Sequence, residues 1–126
     1  PHRLPKVLES LRVSINRLHR IKSEVPGQID RMQTSDFDIV LFELEQLRQN
    51  SDYLKEYDNE YFDYYVQVET KATEYASKLK KRKEYTFIHS ELGPNHVIVD
   101  KEDNAYLIDI EGAKFYDVEE ELSIKL

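Results

Sequence analysis

The side chains able to bind a cation or move a proton gather near the end of the chain: His89, Glu91, His96, Asp109 and Glu111. Each adjoins a short apolar run, so strand ends would present them to a shared cleft. A carboxylate in such a cleft can orient a hydroxyl or accept its proton, and oxygen or amide ligands can hold Mg²⁺ on a phosphate. Glu91 suits the first role, or is a plain loop acid. Asp109, with His96 or the adjacent Asn95, suits the second. Asp109 stands out because an aspartate ending an apolar strand, here followed by Ile110-Glu111-Gly112, is costly unless it binds something. Glu111 is either a second acid for metal or substrate, or surface.

The elements that must position these groups are short. Beyond Lys83 the apolar period falls to two: Tyr85–Ile88, His96–Val99 and Ala105–Ile108 are expected strands, and Lys101-Glu102-Asp103-Asn104 is the turn joining the last two. Upstream the period is helical. Leu8, Leu11, Ile15, Leu18 and Ile21 predict a helix from Pro5 to about Ser23, broken by Pro26-Gly27. After a polar linker, Ser35 is the expected N-cap of a second helix with Phe37, Val40 or Leu41, Leu44 and Leu47 on its apolar face. A bend or short loop is expected over Gln49–Asp52, and then a third helix with Leu54, Tyr57, Tyr61, Tyr65, Val68, Ala72, Tyr75 and Leu79 in one stripe. Six of the nine tyrosines lie between residues 53 and 75. Tyrosines at this spacing more often pack as core or interface than stack on a ligand.

Composition bounds the alternatives. The chain has 126 residues, 40% hydrophobic and 34% charged, and its mean hydropathy is -0.69, as expected for one soluble domain or a piece of one. No apolar run approaches the roughly 20 residues of a membrane-spanning helix, and no signal peptide is expected behind the basic, proline-containing start. The absence of cysteine excludes disulfides and thiolate metal sites, and cytoplasmic location is the default expectation. A net charge of -7 argues against nonspecific nucleic-acid binding. The basic cluster Lys78, Lys80, Lys81, Arg82, Lys83 is read as a solvated helix end facing the helix dipole.

Phe87-Ile88-His89-Ser90-Glu91-Leu92-Gly93-Pro94-Asn95-His96-Val97-Ile98-Val99-Asp100 resembles the catalytic loop of the aminoglycoside-phosphotransferase-like kinases, which include choline-kinase-type enzymes. That loop has a His, an Asp two residues later and a metal-binding Asn five beyond the Asp. Leu107-Ile108-Asp109-Ile110-Glu111-Gly112-Ala113 resembles the family's metal loop. Phe115-Tyr116-Asp117-Val118 through Glu121-Leu122 resembles the segment in which an Asp-Pro pair leads into a helix, and Leu11–His19 resembles a helix ending in Leu-His. About forty residues carry these motifs.

The resemblance implies an α+β fold: a protein-kinase-like C-terminal lobe, mostly helical, with a short β-hairpin carrying the catalytic and metal loops. Residues 1–83 would be the helical part, including variable substrate-binding helices. Residues 84–126 would be the catalytic loop, the metal loop and the start of the following helix, with the N-terminal lobe expected in a longer protein. The implied activity is phosphoryl transfer from ATP or GTP to a hydroxyl of a small molecule such as an aminoglycoside or macrolide, with Mg²⁺. Glu91 takes the place of the catalytic Asp, His89 supports the loop through hydrogen bonds, and Asp109 with His96 or Asn95 binds the metal. Glu91 in place of Asp and His96 in place of Asn are departures from the pattern. They keep open a second reading, a non-catalytic kinase-like module or protein-interaction domain.

Overall fold

A helix beginning Leu4-Pro5 starts favourably, since proline in the first turn has its fixed φ and lacks a donor the helix would not use. The computed structural model, which describes residues 2–123, places α1 at Leu4–His19. The helix stops four residues short of the expected end because β4 (Tyr85–Ile88) offers the backbone a ladder. Lys22–Ser23 become β1, pairing Lys22 with Thr86 and Ser23 with Tyr85, and Ile21 accepts a hydrogen bond from Phe87 N–H at 2.9 Å. Lys22 Nζ also donates to Thr86 Oγ1 at 2.9 Å.

The expected polar linker holds two further strands, β2 (Gly27–Gln28) and β3 (Arg31–Met32), which form a hairpin. Gly27 has φ 124, and a Cβ there would lie 2.8 Å from the carbonyl oxygen of Arg31, so only glycine fits. With β7 (Lys114–Tyr116) these strands and β4 form a five-stranded antiparallel sheet in the order β1-β4-β7-β2-β3. β4 lies between two partners, and Tyr85, Thr86, Ile88 and the following His89 are buried. Phe87 and Phe115 stack across the β4–β7 pair with ring centroids 5.0 Å apart. A two-stranded ladder, β5 (Val97–Val99) with β6 (Ala105–Leu107), matches the expected hairpin, except that His96 lies in a 3₁₀ turn (Pro94–His96) before it. α4 (Val118–Leu122) follows β7.

The outer edge of β6 is capped by α1. Ala105 N–H donates to Ser10 Oγ at 2.9 Å and Ala105 C=O accepts from Ser14 Oγ at 3.2 Å, so two serines one helical turn apart satisfy the backbone groups that β5 leaves open.

The chain divides into two compact units, one of residues through Phe37 together with those from Lys83 on, the other Asp38–Arg82. The first 37 residues thus group with the strand-rich end, and the helices between them form a unit of their own. The second unit is a helical hairpin of α2 (Ile39–Tyr57) and α3 (Asn59–Ala76). Its N-cap is Asp38, whose carboxylate accepts from Leu41 N–H at 3.1 Å, in place of the expected Ser35. α2 runs straight through Gln49–Asp52, where a bend was expected. Ser51 is buried there and returns its hydroxyl to Leu47 C=O at 3.2 Å, so the polar stretch keeps its helical bonding. The break comes at Asp58, with extended φ -152. The fold is thus α+β and about half helical, and no helix among the described residues is long and apolar enough to cross a membrane.

Candidate functional site

The β5–β6 hairpin places the two reactive loops side by side. Its register, Val97 opposite Leu107 and Val99 opposite Ala105, leaves His96 and Asp109 at the same end of the ladder, and Ile108 N–H donates to His96 C=O at 2.9 Å. The other end is held by Asp100, whose carboxylate accepts from the backbone N–H groups of Glu102 and Asn104, both at 2.9 Å, from Asn104 Nδ2 at 3.0 Å and from Tyr106 OH at 3.2 Å. Those donors, Asn104 first, hold the Asp100 carboxyl below the ordinary carboxylate range, and the charged Asp100 in turn raises the Tyr106 phenol. Arg3 reaches the same turn, donating from Nη2 to Asp100 C=O at 2.8 Å and pairing with Asp103.

At the reactive end, His96 Nε2 lies 3.2 Å from Asp109 Oδ2. Its other nitrogen, Nδ1, stands 2.5 Å from the carbonyl oxygen of Glu91. A carbonyl only accepts, so Nδ1 carries a hydrogen, and Nε2 is the ring nitrogen that faces the Asp109 carboxylate. Asp109 has φ 57, in the left-handed region that aspartate enters more readily than most residues, and its side chain is 44% exposed. Asn95 is exposed, with Nδ2 3.4 Å from His96 Nε2. Of the two candidates left open by the sequence, His96 is therefore the one set against Asp109.

His89 is fully buried. Nε2 donates to Ile108 C=O at 2.7 Å, and Nδ1 accepts from Glu91 N–H at 3.2 Å. Both nitrogens are engaged, so the imidazole ties the loop bearing Glu91 to the strand end bearing Asp109. Ser90 adds a second tie, donating from Oγ to Gly112 C=O at 2.7 Å. Its φ of 71 is left-handed, a conformation serine holds only where its surroundings fix it. Glu91 is exposed, and its carboxylate lies over the Gly112 backbone: a Cβ on Gly112 would come within 3.3 Å of Glu91 Cδ and 3.2 Å of Ser90 Oγ. Glu111 stands exposed on the adjoining 3₁₀ turn (Ile110–Gly112), outside this network of hydrogen bonds.

The residue that sequence reasoning missed is Glu121 on α4. Its side chain is 1% exposed, and its two oxygens accept from consecutive backbone N–H groups, His89 at 2.9 Å and Ser90 at 2.9 Å, with His19 Nε2 at 3.3 Å. One buried carboxylate thus fixes the start of the reactive loop and joins it to the end of α1. Nothing in the sequence marks it, since Glu119, Glu120 and Glu121 are consecutive and only the approach of α4 to β4 selects one of them.

His96 and Asp109 are suited to share a cation. Two neighbouring ligands of an octahedral Mg²⁺, each about 2.1 Å from the ion, stand about 3.0 Å apart, close to the separation found here. Among the described residues no group of three or more His, Asp or Glu side chains is placed to hold a metal alone. A pair fits Mg²⁺, which keeps several waters and shares its remaining positions with phosphate oxygens, although imidazole is a softer ligand than that ion prefers. No family model, curated protein or solved structure matches this chain.

Proposed function

We propose that this chain is part of a small-molecule kinase of the aminoglycoside-phosphotransferase-like type, a phosphotransferase that passes a phosphoryl group from ATP or GTP to an acceptor hydroxyl. The observation that carries the reading is the 3.2 Å approach of His96 Nε2 to Asp109 Oδ2, with the ring oriented by its Nδ1 hydrogen bond to the Glu91 carbonyl. His96 and Asp109 would hold the divalent cation, and Glu91 would orient the acceptor hydroxyl and take its proton. His89, Ser90 and Glu121 keep Glu91 and Asp109 in fixed relation, which matters because a misplacement of about 1 Å can cost on the order of a hundredfold in rate. Mg²⁺, when bound, neutralises charge on the nucleotide phosphates. A nucleotide-covering lobe in a longer protein belongs to this reading.

The test uses Mn²⁺ as a paramagnetic stand-in for Mg²⁺. Titration should broaden the His96 ring resonances selectively, and Asp109→Asn should weaken the effect at least tenfold. In the longer protein Mg²⁺ with ATP or GTP should raise the melting temperature, and Asp109→Asn should remove the rise. Absence of both responses would sink the kinase reading.

A second reading, a non-catalytic module acting through protein contact, is favoured by the exposure of Tyr53, Tyr57, Tyr61, Tyr64 and Tyr75, each more than half open to solvent. It predicts that Asp109→Asn changes neither metal response nor function.

A further inference from the structure

α3 carries more apolar surface than α2 covers. Its half-buried residues Phe62, Tyr65, Ala72 and Ala76 form the face packed in the hairpin. A second stripe, Tyr61, Tyr64, Val68 and Tyr75, lies roughly a quarter-turn round the helix at about 100° per residue. It remains 56%, 67%, 39% and 61% exposed respectively. The single stripe expected from the sequence is therefore two, with Tyr65 and Ala72 turned inward and Tyr61, Val68 and Tyr75 outward.

The outer stripe has the steps of a coiled-coil seam, with residues 61, 68 and 75 at one heptad position and 64 at the other, where Lys71 also falls. Tyr61 and Tyr75 lie at equal sequence distance on either side of Val68, so these three positions match themselves when reversed, while Tyr64 falls opposite position 72. The charges do not read the same in both directions. Glu56, Asp58, Glu60 and Asp63 cluster at the α2–α3 junction, and Lys78 and Lys80 follow the far end of α3. Two parallel copies would set acid against acid. Two antiparallel copies set acid over base at both ends, which is the isologous contact of a two-fold dimer.

We propose that the outer stripe of α3 is a self-association surface, on which a second copy of this chain packs antiparallel with Val68 near the two-fold axis. The two hairpins then form a four-helix arrangement that buries the exposed tyrosine rings while their hydroxyls stay at the rim. Lys71, at a seam position, disfavours registers that bury its ammonium away from a tyrosine hydroxyl or carboxylate. Each copy has a net charge of -7, but that repulsion is screened beyond about 8 Å at physiological salt, so the local pairing decides. This inference is independent of the kinase reading, and Asp109→Asn should leave the association unchanged.

The 126-residue chain is tested at about 0.15 M ionic strength. Sedimentation across a concentration series should show a monomer–dimer equilibrium, and Val68→Glu, which places two carboxylates on the axis, should raise the dissociation constant at least tenfold. Because the chain has no cysteine, single replacements report position cleanly. Val68→Cys should cross-link to a dimer with a short bismaleimide far more readily than Gln67→Cys, whose side chain leaves α3 about 100° away. If Val68→Glu fails to fold by circular dichroism, the cysteine pair alone decides. A chain monomeric at every concentration, or cross-linking as efficient from residue 67 as from 68, would overturn the proposal and assign the stripe to a different partner.

Discussion

His89 donates from Nε2 to the carbonyl of Ile108 at 2.7 Å, so one buried imidazole joins the loop that carries Glu91 to the strand end that carries Asp109. The same ring accepts from Glu91 N–H, which leaves no nitrogen for a substrate or cation. Its work is positional.

Removing that ring should therefore act on stability first. His89→Ala opens a cavity and strands the Ile108 carbonyl and the Glu91 N–H, a combined loss of about 3 kcal/mol. Urea denaturation checks the magnitude. A loss under about 0.5 kcal/mol, typical of a surface site, would contradict the buried role.

Glu121 should be sensitive to an isosteric change. In Glu121→Gln one acceptor oxygen becomes an NH₂ group facing a backbone N–H, at His89 or Ser90, and the charge that strengthens both bonds is lost. The expected cost is about 2 kcal/mol. Hydrogen exchange at the His89 and Ser90 amides should accelerate well beyond that of the β4 amides that precede them. Uniform acceleration across the sheet would argue against a specific anchor.

Asp109→Asn separates stability from binding. Asparagine tolerates left-handed backbone at least as well as aspartate, and the site is 44% exposed, so unfolding free energy should change by no more than about 0.5 kcal/mol. The loss should fall on cation binding instead, read as the Mn²⁺ effect on His96.

Acid stability should report on the hairpin turn. The Asp100 carboxyl is lowered in the folded state by the Asn104 side chain first and by backbone N–H groups next. A lowered folded value means its contribution is present above the ordinary carboxylate range and is lost as pH falls through the depressed folded value. Asn104→Ala should move the Asp100 titration upward, toward the ordinary range, in carboxyl carbon NMR. Because Tyr106 is raised by the same carboxylate, Asp100→Asn should lower the Tyr106 phenol.

Part of this arrangement was legible in the chain itself. A period of 3.6 marked three helices, and a period of two marked β4 and the β5–β6 hairpin, because periodicity follows from burying one face of a local element. The same hairpin, with Lys101–Asn104 as its turn, already implied that residues near 96 and 109 would meet. Their pairing as His96 with Asp109, and not Asn95, needed coordinates, since adjacent residues on a 3₁₀ turn point in different directions.

What only the tertiary structure decided are the features made by partners distant in sequence. Lys22–Ser23 leave the helical pattern because residues 85 and 86 offer them a ladder, and β2 and β3 are two residues each, too short to show a period. The tyrosine stripe divides into a covered and an open face only once α2 has chosen its side of α3. Glu121 becomes the anchor of the reactive loop because α4 packs on β4 and brings one of three consecutive glutamates to two waiting N–H groups. The sequence by itself marked the helical stretches and the candidate site residues. Burial and hydrogen-bond satisfaction across long separations decided which of them meet, because those energies belong to pairs of residues and not to positions along the chain.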